Sequence, residues 1–278
     1  MIGTCRGGFI DLGHVRNGAD LTKWVAKGLE KKILAGKPEH SFKLTDPSRH
    51  YLTIKYPAGF HDLPLEKRLA IARDVSIQAS AYAIYWSTTW HEMITYLGWK
   101  PVGINVLISA LSPEDNYSNL LGAIIGARAL RDEKLSYNAA VTKIMKDEFT
   151  MLEIRPKREV KEAAKSIYGV WYVGEGYFGS KMLKRDLDIG LEDNKKTPWP
   201  IPGLCEDAEL YSYPIPTLDF KRYDFVVEYS IDPAIRRITT NILGYEFDRL
   251  IPHTHFPKIM AHIVEQEAKI STERKTEQ

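Results

Sequence analysis

Apolar residues recur every three or four positions in several segments, which is the spacing of a helix that buries one face. The predicted helices cover residues 19–35, 65–97, 112–133, 137–152, 157–172 and 255–270. Asp20 or Thr22 is expected to cap the first of them, and Gly98 ends the second. Gly122 and Gly126 lie one turn apart on the third helix, so they permit the close approach of a neighbouring helix.

Alternating apolar residues and turn formers predict a few short strands between the helices. Residues 5–15 fit a short strand or an extended segment, and residues 41–57 fit a hairpin around the turn formers at 45–49. Residues 102–111 fit a buried strand or loop, and residues 223–231 are the clearest late strand.

The segment 174–216 is rich in glycine, proline and charge, and we expect a long, ordered, loop-rich excursion there. Helices nevertheless dominate the whole pattern. The sequence therefore predicts an α+β fold: a mostly helical single domain over 1–270 with a few short strands or hairpins, and a frayed tail over 271–278.

The composition is typical of a soluble globular protein that buries a full core. Of the 278 residues, 44% are apolar and 27% are charged. The net charge is +2 and the basic residues are scattered, which argues against nucleic acid as the main partner. No apolar run reaches the roughly 20 residues of a transmembrane helix, and the N-terminus lacks the pattern of a signal peptide. Cys5 and Cys205 exclude a disulfide scaffold and a thiolate zinc cluster, but allow one disulfide.

The second predicted helix carries a polar stripe among aromatic residues. Helical spacing places on it Ser87, Thr88, His91 and Thr95. Glu92 lies beside His91, about 100° around the helix. The stripe is either a core histidine satisfied by hydroxyls, or it faces a pocket with His91 as metal ligand and Glu92 as base, or with the two as an acid/base pair. Thr95 stands where a zincin has its second histidine, so a metal would need ligands from elsewhere.

The motif Ser-Pro-Glu-Asp opens the third predicted helix. Ser112 is expected to cap it, and the acids Glu114 and Asp115 favour the positive end of the helix dipole. Capping explains these residues completely. The alternative is that the two carboxylates, together with Asn119, bind a cation or orient a histidine.

The opening stretch, residues 4–22, allows two chemistries and one structural explanation. Cys5 and His14 fit a thiol nucleophile and its base. Alternatively, Asp11 and His14 are metal ligands, while Arg6 and Arg16 grip an anionic group of the substrate. In the structural explanation Asp11 and Arg16 form a pair and Cys5 is buried.

Two further histidine motifs have structural explanations. His253 and His255 lie between two prolines, so we expect an exposed loop rather than a pair of metal ligands on a strand. His61 precedes a predicted helix and is expected to contribute to its cap. The sequence contains no GxSxG, Walker, GxGxxG or CxxC motif.

Four stretches, taken together and in this order, resemble one bacterial family. They are residues 4–16, 90–99, 109–122 and, more loosely, 184–202. The chain is similar on them to domain of unknown function family 4056, whose members look like exported or lipid-anchored envelope proteins. The resemblance implies a periplasmic or envelope-associated location and names no reaction. Family members usually begin with a segment that carries an export signal, so this chain is expected to be a shortened member.

The leading hypothesis is a metal-dependent hydrolase of the bacterial envelope, with zinc as the expected metal and a small-molecule or cell-envelope substrate. The expected metal ligands are His14, His91, Glu114 and Asp11. The expected catalytic carboxylates are Glu92 and Asp115. The residues expected to hold the substrate are Arg6, Arg16 and Asn119.

Two alternatives stay open at the level of sequence. One is a cysteine hydrolase or acyltransferase with Cys5 as nucleophile and His14 or His91 as base. The other is a non-catalytic envelope protein for binding or assembly, in which the polar residues form a buried network that fixes the packing. This last hypothesis predicts that no solvent-accessible cleft lies at His91.

Overall fold

Helices make up most of the regular structure in the computed structural model, which describes residues 1–99, 109–174 and 181–276. Within these ranges the helices are α1 (Leu12–Leu34), α2 (Leu65–Tyr96), α3 (Asp115–Arg131), α4 (Tyr137–Met151), α5 (Lys157–Ser166), α6 (Arg236–Leu243) and α7 (Pro252–Thr276). The predicted α+β class, mostly helical with short strands, is confirmed. In the described part of the chain no helix is both long and apolar enough to span a bilayer.

The strands form small antiparallel sheets. A hairpin joins β1 (Ile2–Thr4) to β2 (Gly8–Ile10). The largest described sheet has the order β3-β4-β9 and consists of β3 (Glu39–Phe42), β4 (Arg49–Lys55) and β9 (Val226–Asp232). Two short pairs complete the set: β5 (Tyr172–Val173) with β6 (Lys181–Met182), and β7 (Lys195–Lys196) with β8 (Tyr213–Pro214). The hairpin predicted around 45–49 and the late strand predicted over 223–231 are confirmed, and they pair with each other through β4 and β9.

Helix α2 is the central element of the core. A helix that is apolar on every side belongs inside a protein rather than on its surface. Trp86 and Trp90 are fully buried, and the indole N–H of Trp90 donates to Ser48 Oγ at 3.0 Å. Between residues 79 and 96 only Thr88 and His91 are half-buried rather than buried. Those two positions therefore mark the side of α2 that the core leaves open.

Helices α1 and α3 touch through their backbones. A Cβ atom at Gly122 would lie 2.5 Å from the carbonyl oxygen of Val15, and one at Gly126 would lie 2.7 Å from that of Ala19. Gly18 of α1 faces this contact from the other side, with Gly122 Cα 3.2 Å from the position of its absent Cβ. The close approach expected from Gly122 and Gly126 is present, and its partner is α1.

Helix α1 begins at Leu12, so Asp20 and Thr22 both lie inside it and neither is its cap, contrary to the prediction. The carboxylate of Asp11 instead accepts the N–H groups of Gly13 at 2.6 Å and His14 at 3.1 Å. The first turns of α1 show no apolar periodicity, because they pack on α3 largely through small residues such as Gly18. As a result His14 lies in the first turn of a long helix rather than on a strand.

Other predicted helix starts also change. Helix α3 begins at Asp115, and its cap lacks a side-chain hydrogen bond, so Ser112 is not the cap. His61 lies in a short 3-10 helix, and α2 begins after Pro64 without a side-chain cap. The predicted strand or loop over 102–111 lies mostly outside the described residues, which resume at 109.

The histidines of the Pro-His-Thr-His motif belong to helix α7, which begins at Pro252. His255 is buried, and its Nδ1 accepts the N–H of Ile251 at 2.8 Å. The prediction of an exposed loop is therefore wrong, because one of the two histidines completes the start of a helix.

The loop-rich segment is fastened to the helical core by polar contacts. The N–H of Asp186 donates to the carbonyl of Leu111 at 2.8 Å, and the hydroxyl of Tyr85 donates to the carbonyl of Ile189 at 2.8 Å. Lys196 is fully buried and lies 2.7 Å from the carboxylate of Asp186. A buried charge needs such a partner, so this pair holds the segment in one arrangement.

We predict that Gly122→Ala destabilises the protein by about 1–3 kcal/mol, because the new methyl group must push two helix backbones apart. Helix propensity alone predicts the opposite sign, since alanine is the better helix former by about 1 kcal/mol. Urea denaturation measures the free energy of unfolding. Ala261→Gly, at an exposed position of α7, gives the size of a pure propensity change in this chain. Unchanged or increased stability in Gly122→Ala would contradict the backbone contact.

Candidate functional site

A cavity of about 300 Å³ lies where α1, α2 and the start of α3 meet. Five of the residues singled out in the sequence lie on its wall: His14, His91, Glu92, Asp115 and Asn119. The other described residues of the wall are apolar or uncharged polar side chains, among them Thr88, Thr95 and Trp99. The side chain of His91 is 31% exposed, so solvent reaches it. The cavity contradicts the expectation, attached to the non-catalytic hypothesis, that no accessible cleft lies at His91.

His91 rests against a buried carboxylate that the sequence analysis did not select. Its Nδ1 lies 3.5 Å from Oδ2 of Asp46, whose side chain is fully buried. Asp46 also accepts the N–H of Ser48 at 2.9 Å. Burial alone would raise the pKa of Asp46, but its contacts with His91 and Ser48 outweigh burial and hold that pKa below its ordinary value. Asp46 is therefore an anion beside the imidazole of His91, at 3.5 Å from its Nδ1.

Glu92 and Asp115 form a pair of buried carboxyl groups. The N–H of Leu111 donates to Oε2 of Glu92 at 3.1 Å, and the N–H of Ser112 donates to Oδ2 of Asp115 at 3.1 Å. Burial, and then the neighbouring charge of Asp115, raise the pKa of Glu92 well above its ordinary value. Burial also raises the pKa of Asp115 to about 6. Two carboxyl groups in contact cannot both ionise easily, so the pair holds a proton, and Glu92 is its carrier.

His14 meets this pair from α1. Its Nδ1 lies 3.5 Å from Oδ1 of Asp115, and its side chain is 37% exposed. Asp11, expected as a metal ligand, is occupied as the cap of α1, and its own N–H donates to Ser118 Oγ at 3.0 Å. Asp11 thus positions His14 through the first helical turn instead of reaching the cavity.

Glu114 lies just outside the described cavity wall, next to Asp115. Burial, and then Asp115, raise the pKa of Glu114 to about 7. Three carboxyl groups therefore share one acidic region, in which Asp115 makes ionisation of both Glu92 and Glu114 more costly.

The two arginines expected to hold the substrate lie elsewhere. Arg16 pairs with Asp20 at 2.8 Å and donates to the side-chain carbonyl of Asn138 at 2.9 Å. Arg6 donates to the carbonyl of Glu209 at 3.2 Å. Neither lines the cavity, and the alternative pairing of Arg16 with Asp11 is also wrong.

Cys5 is joined to Cys205 by a disulfide that links residues 200 positions apart. The thiolate needed by a cysteine hydrolase or acyltransferase is therefore consumed, and that alternative is wrong for this structure. Cys5 also lies outside the described wall of the cavity. Its role is to fasten the N-terminal hairpin to the loop that carries Cys205.

One interpretation of His91 was a buried core histidine with hydroxyl partners. The histidine that fits this description is His50. His50 is fully buried, and its Nδ1 lies 2.8 Å from the hydroxyl of Tyr229 and 3.2 Å from that of Ser87. Burial lowers the pKa of His50 to about 4, so it is neutral at physiological pH. Of the predicted polar stripe, Ser87 therefore lies in the core, whereas Thr88, His91 and Thr95 line the cavity.

The expected set of metal ligands is only partly assembled. His14 and His91 lie on the cavity wall, but Asp11 caps a helix and Glu114 lies outside the described wall. Across 1–99, 109–174 and 181–276, no three histidine, cysteine or carboxylate side chains are close enough to hold one metal ion.

Asp46 is the residue that sequence reasoning missed. Its motif reads as a turn, and Asp46 does accept a hydrogen bond from Ser48, two residues further on, as aspartates in turns do. Because the turn already explains this aspartate, the sequence gives no sign of its contact with His91. Only the packing of the β3–β4 turn on α2 brings the carboxylate to His91.

We predict that the carboxyl cluster makes stability fall as pH rises from about 4 to about 7, whereas His50, whose pKa is lowered to about 4, contributes a slope of the opposite sign. Asp115 and Glu114 have pKa values of about 6 and about 7 in the folded chain, so the folded state there binds more protons than the unfolded state. Each such group stabilises the fold fully below its unfolded pKa, and the contribution is lost as pH rises through the folded pKa, at about 1.4 kcal/mol per proton and pH unit. Urea denaturation at several pH values gives this slope.

The matched variants are Asp115→Asn, which removes one titrating group and the charge next to two others, and Glu192→Gln at an exposed position. The first should flatten the slope, and the second should leave it unchanged. Equal slopes in all three proteins would show that the carboxyl cluster does not bind the extra protons.

We predict that Cys5→Ser/Cys205→Ser lowers the free energy of unfolding by about 3–5 kcal/mol, because the crosslink restricts a very long loop in the unfolded chain. Reduced wild-type protein should lose a similar amount. A thiol assay on denatured, unreduced protein should find no free thiol. Two free thiols would show that the bond does not form.

The comparisons with known proteins concern the region that holds the cavity. The sequence model of a family described as protein of unknown function, DUF4056, matches residues 1–202. This range includes every described residue of the cavity wall and Asp46. No curated protein and no solved structure matches the chain. With most of its length covered, the chain belongs to the DUF4056 family.

Proposed function

We propose that this protein is a hydrolase that activates a water molecule in the cavity by acid–base catalysis. The observation that carries the proposal is the contact of His91, on the cavity wall, with the buried anion of Asp46 at 3.5 Å. A histidine backed by a buried carboxylate and open to a cavity is the arrangement of a general base.

Asp46 fixes the tautomer of His91. Because an ionised carboxylate only accepts hydrogen bonds, it favours the imidazole with its proton on Nδ1. The lone pair on Nε2 is then available to take a proton from water. The same carboxylate stabilises the imidazolium that forms, so Asp46 is a positioning residue and His91 the catalytic base.

Glu92 supplies the acid. Its raised pKa keeps it protonated at neutral pH, as a general acid must be. Asp115 contacts it and stabilises the proton that the two groups share. His91 and Glu92 are adjacent on α2 and both line the cavity, so base and acid reach the same small volume.

These roles give a balanced hydrolysis. His91 takes one proton from the attacking water, whose oxygen forms a bond to the electrophilic centre of the substrate. The bond to the leaving group breaks with its electron pair, and Glu92 protonates that group. The proton on His91 then returns to the carboxylate of Glu92, through solvent in the cavity.

A metal-dependent version of the same reaction is favoured by one observation. Both His14 and His91 have a carboxylate 3.5 Å from Nδ1, which is how metal-ligating histidines are commonly held. In this version the two imidazoles would hold a divalent ion, such as zinc, and the ion would supply a bound water of lowered pKa. Elemental analysis of protein purified without chelator decides between the versions: stoichiometric metal that is lost in His91→Ala supports this one.

An envelope location is supported by the disulfide. Bonds of this kind persist in oxidising compartments such as the bacterial periplasm and are rare in the cytosol. We propose that the protein works there, on a small-molecule or cell-envelope substrate. Trapping of free thiols in intact cells, followed by a gel shift, tests it: a fully reduced pool would contradict the location.

We predict that His91→Gln lowers kcat by about 10²–10⁴-fold on any substrate found, because the general base is lost. Asp46→Asn should lower kcat by about 10²-fold or more with little effect on KM, and should shift the pH profile of kcat, since the tautomer of His91 is no longer fixed. Fluorogenic esters, amides, phosphoesters and glycosides are the first substrates to screen.

The control is Asp20→Asn, an aspartate of α1 that pairs with Arg16 away from the described cavity wall. It should keep full activity. Circular dichroism and urea denaturation establish that each variant is folded. Hydrolysis that survives His91→Gln unchanged would refute the assignment of the base.

A further inference from the structure

The cavity gathers several carboxyl groups in one small region. Glu92 and Asp115 line it, Asp46 lies under His91, and Glu114 is next to Asp115. The described wall contains neither lysine nor arginine.

This arrangement is costly for the protein alone. Carboxyl groups taken out of water lose the hydration that stabilises their charge. A positively charged ligand group beside Asp115, which is buried on the wall, would replace that hydration. It would form charge-assisted hydrogen bonds, which are among the strongest in proteins.

A second feature of the wall, independent of the acids, also points to a ligand that forms hydrogen bonds. Thr95 is only 5% exposed and lines the cavity, and its hydroxyl has no hydrogen-bond partner in the structure. A buried hydroxyl without a partner carries a free-energy cost that a bound donor would remove. Asn119, also 5% exposed, adds an amide carbonyl to the same wall.

An aromatic side chain completes the wall. Trp99 lines the cavity, and its ring lies edge-on to His91 with 5.5 Å between the ring centroids. Tryptophan is the best aromatic partner for a cation. The volume of about 300 Å³ suits a small molecule or one end of a larger one.

We propose that the cavity binds the primary ammonium group of its ligand, with the carboxylate of Asp115, the hydroxyl of Thr95 and the amide carbonyl of Asn119 as acceptors. An ammonium group has three donors and no acceptor, which matches a wall of acceptors. That this amine is the substrate rests on the hydrolase function proposed above; that the cavity selects an amine does not.

The test uses three probes of equal length that differ only at one end: 4-amino-1-butanol, 1,4-butanediol and 4-hydroxybutanoate. Isothermal titration calorimetry of the whole protein measures each Kd. The amine should bind at least about tenfold more tightly than the diol, and the carboxylate should bind most weakly. Equal or tighter binding of the diol or the carboxylate overturns the proposal.

Variants locate the binding. Asp115→Asn and Thr95→Val should each weaken the amine more than the diol, whereas Asp20→Asn on α1 should leave both unchanged. The comparison of probes on wild-type protein decides the proposal even where a cavity variant fails to fold. Amine binding that requires added Zn²⁺ overturns it, because the metal would then hold the ligand.

The two proposals fail separately. If the amine binds selectively but no hydrolysis is found on any substrate, the hydrolase function is refuted and the amine site stands. If hydrolysis depends on His91 but the diol binds as well as the amine, the amine site is refuted and the function stands.

Discussion

The contact between the backbones of α1 and α3 decides where the groups of the cavity lie. With no side chain at Gly122, the carbonyl of Val15 approaches to where a Cβ would be only 2.5 Å away. His14 is one residue before Val15, and Asp115 is two turns before Gly122. The helix contact therefore sets the 3.5 Å separation of the His14 ring and the Asp115 carboxylate. A larger side chain at Gly122 would therefore displace α1 and α3, the two helices that form one side of the cavity.

Against this rigid frame, α2 supplies the chemistry. Over residues 79–96 it is buried on nearly all sides, so its orientation is fixed by packing, and the open side carries Thr88 and His91. The frame then tolerates an unfavourable feature: carboxyl groups close together, largely out of water, with no lysine or arginine on the described wall beside them. Such strain is common at functional sites. His50 differs from His91 in its full burial and its two hydroxyl partners, which make it part of the core.

The sequence predicted the elements better than their ends. The long apolar period of α2, the hairpin at 45–49 and the small residues at Gly122 and Gly126 are local signals, and each is present in the structure. The start of α1 was wrong because an aspartate cap at Asp11 and packing through small residues leave no apolar pattern. In the site, the motifs brought His14, His91 and Asp115 into one hypothesis. Asp46 was not part of that hypothesis, because its place in a turn already explained the aspartate.

By itself, the sequence determined the mostly helical α+β class, the family and the residue types that bear chemistry, because periodicity and motifs are properties of neighbouring positions. Tertiary structure alone decided which of those residues meet. It turned Cys5 into half of a disulfide and sent Arg16 to Asp20, where neither reaches the cavity. It also joined a turn aspartate to His91 across 45 positions of chain. Contacts between residues so far apart in the chain depend on how whole elements pack. The spacing of residues along one element does not encode that packing.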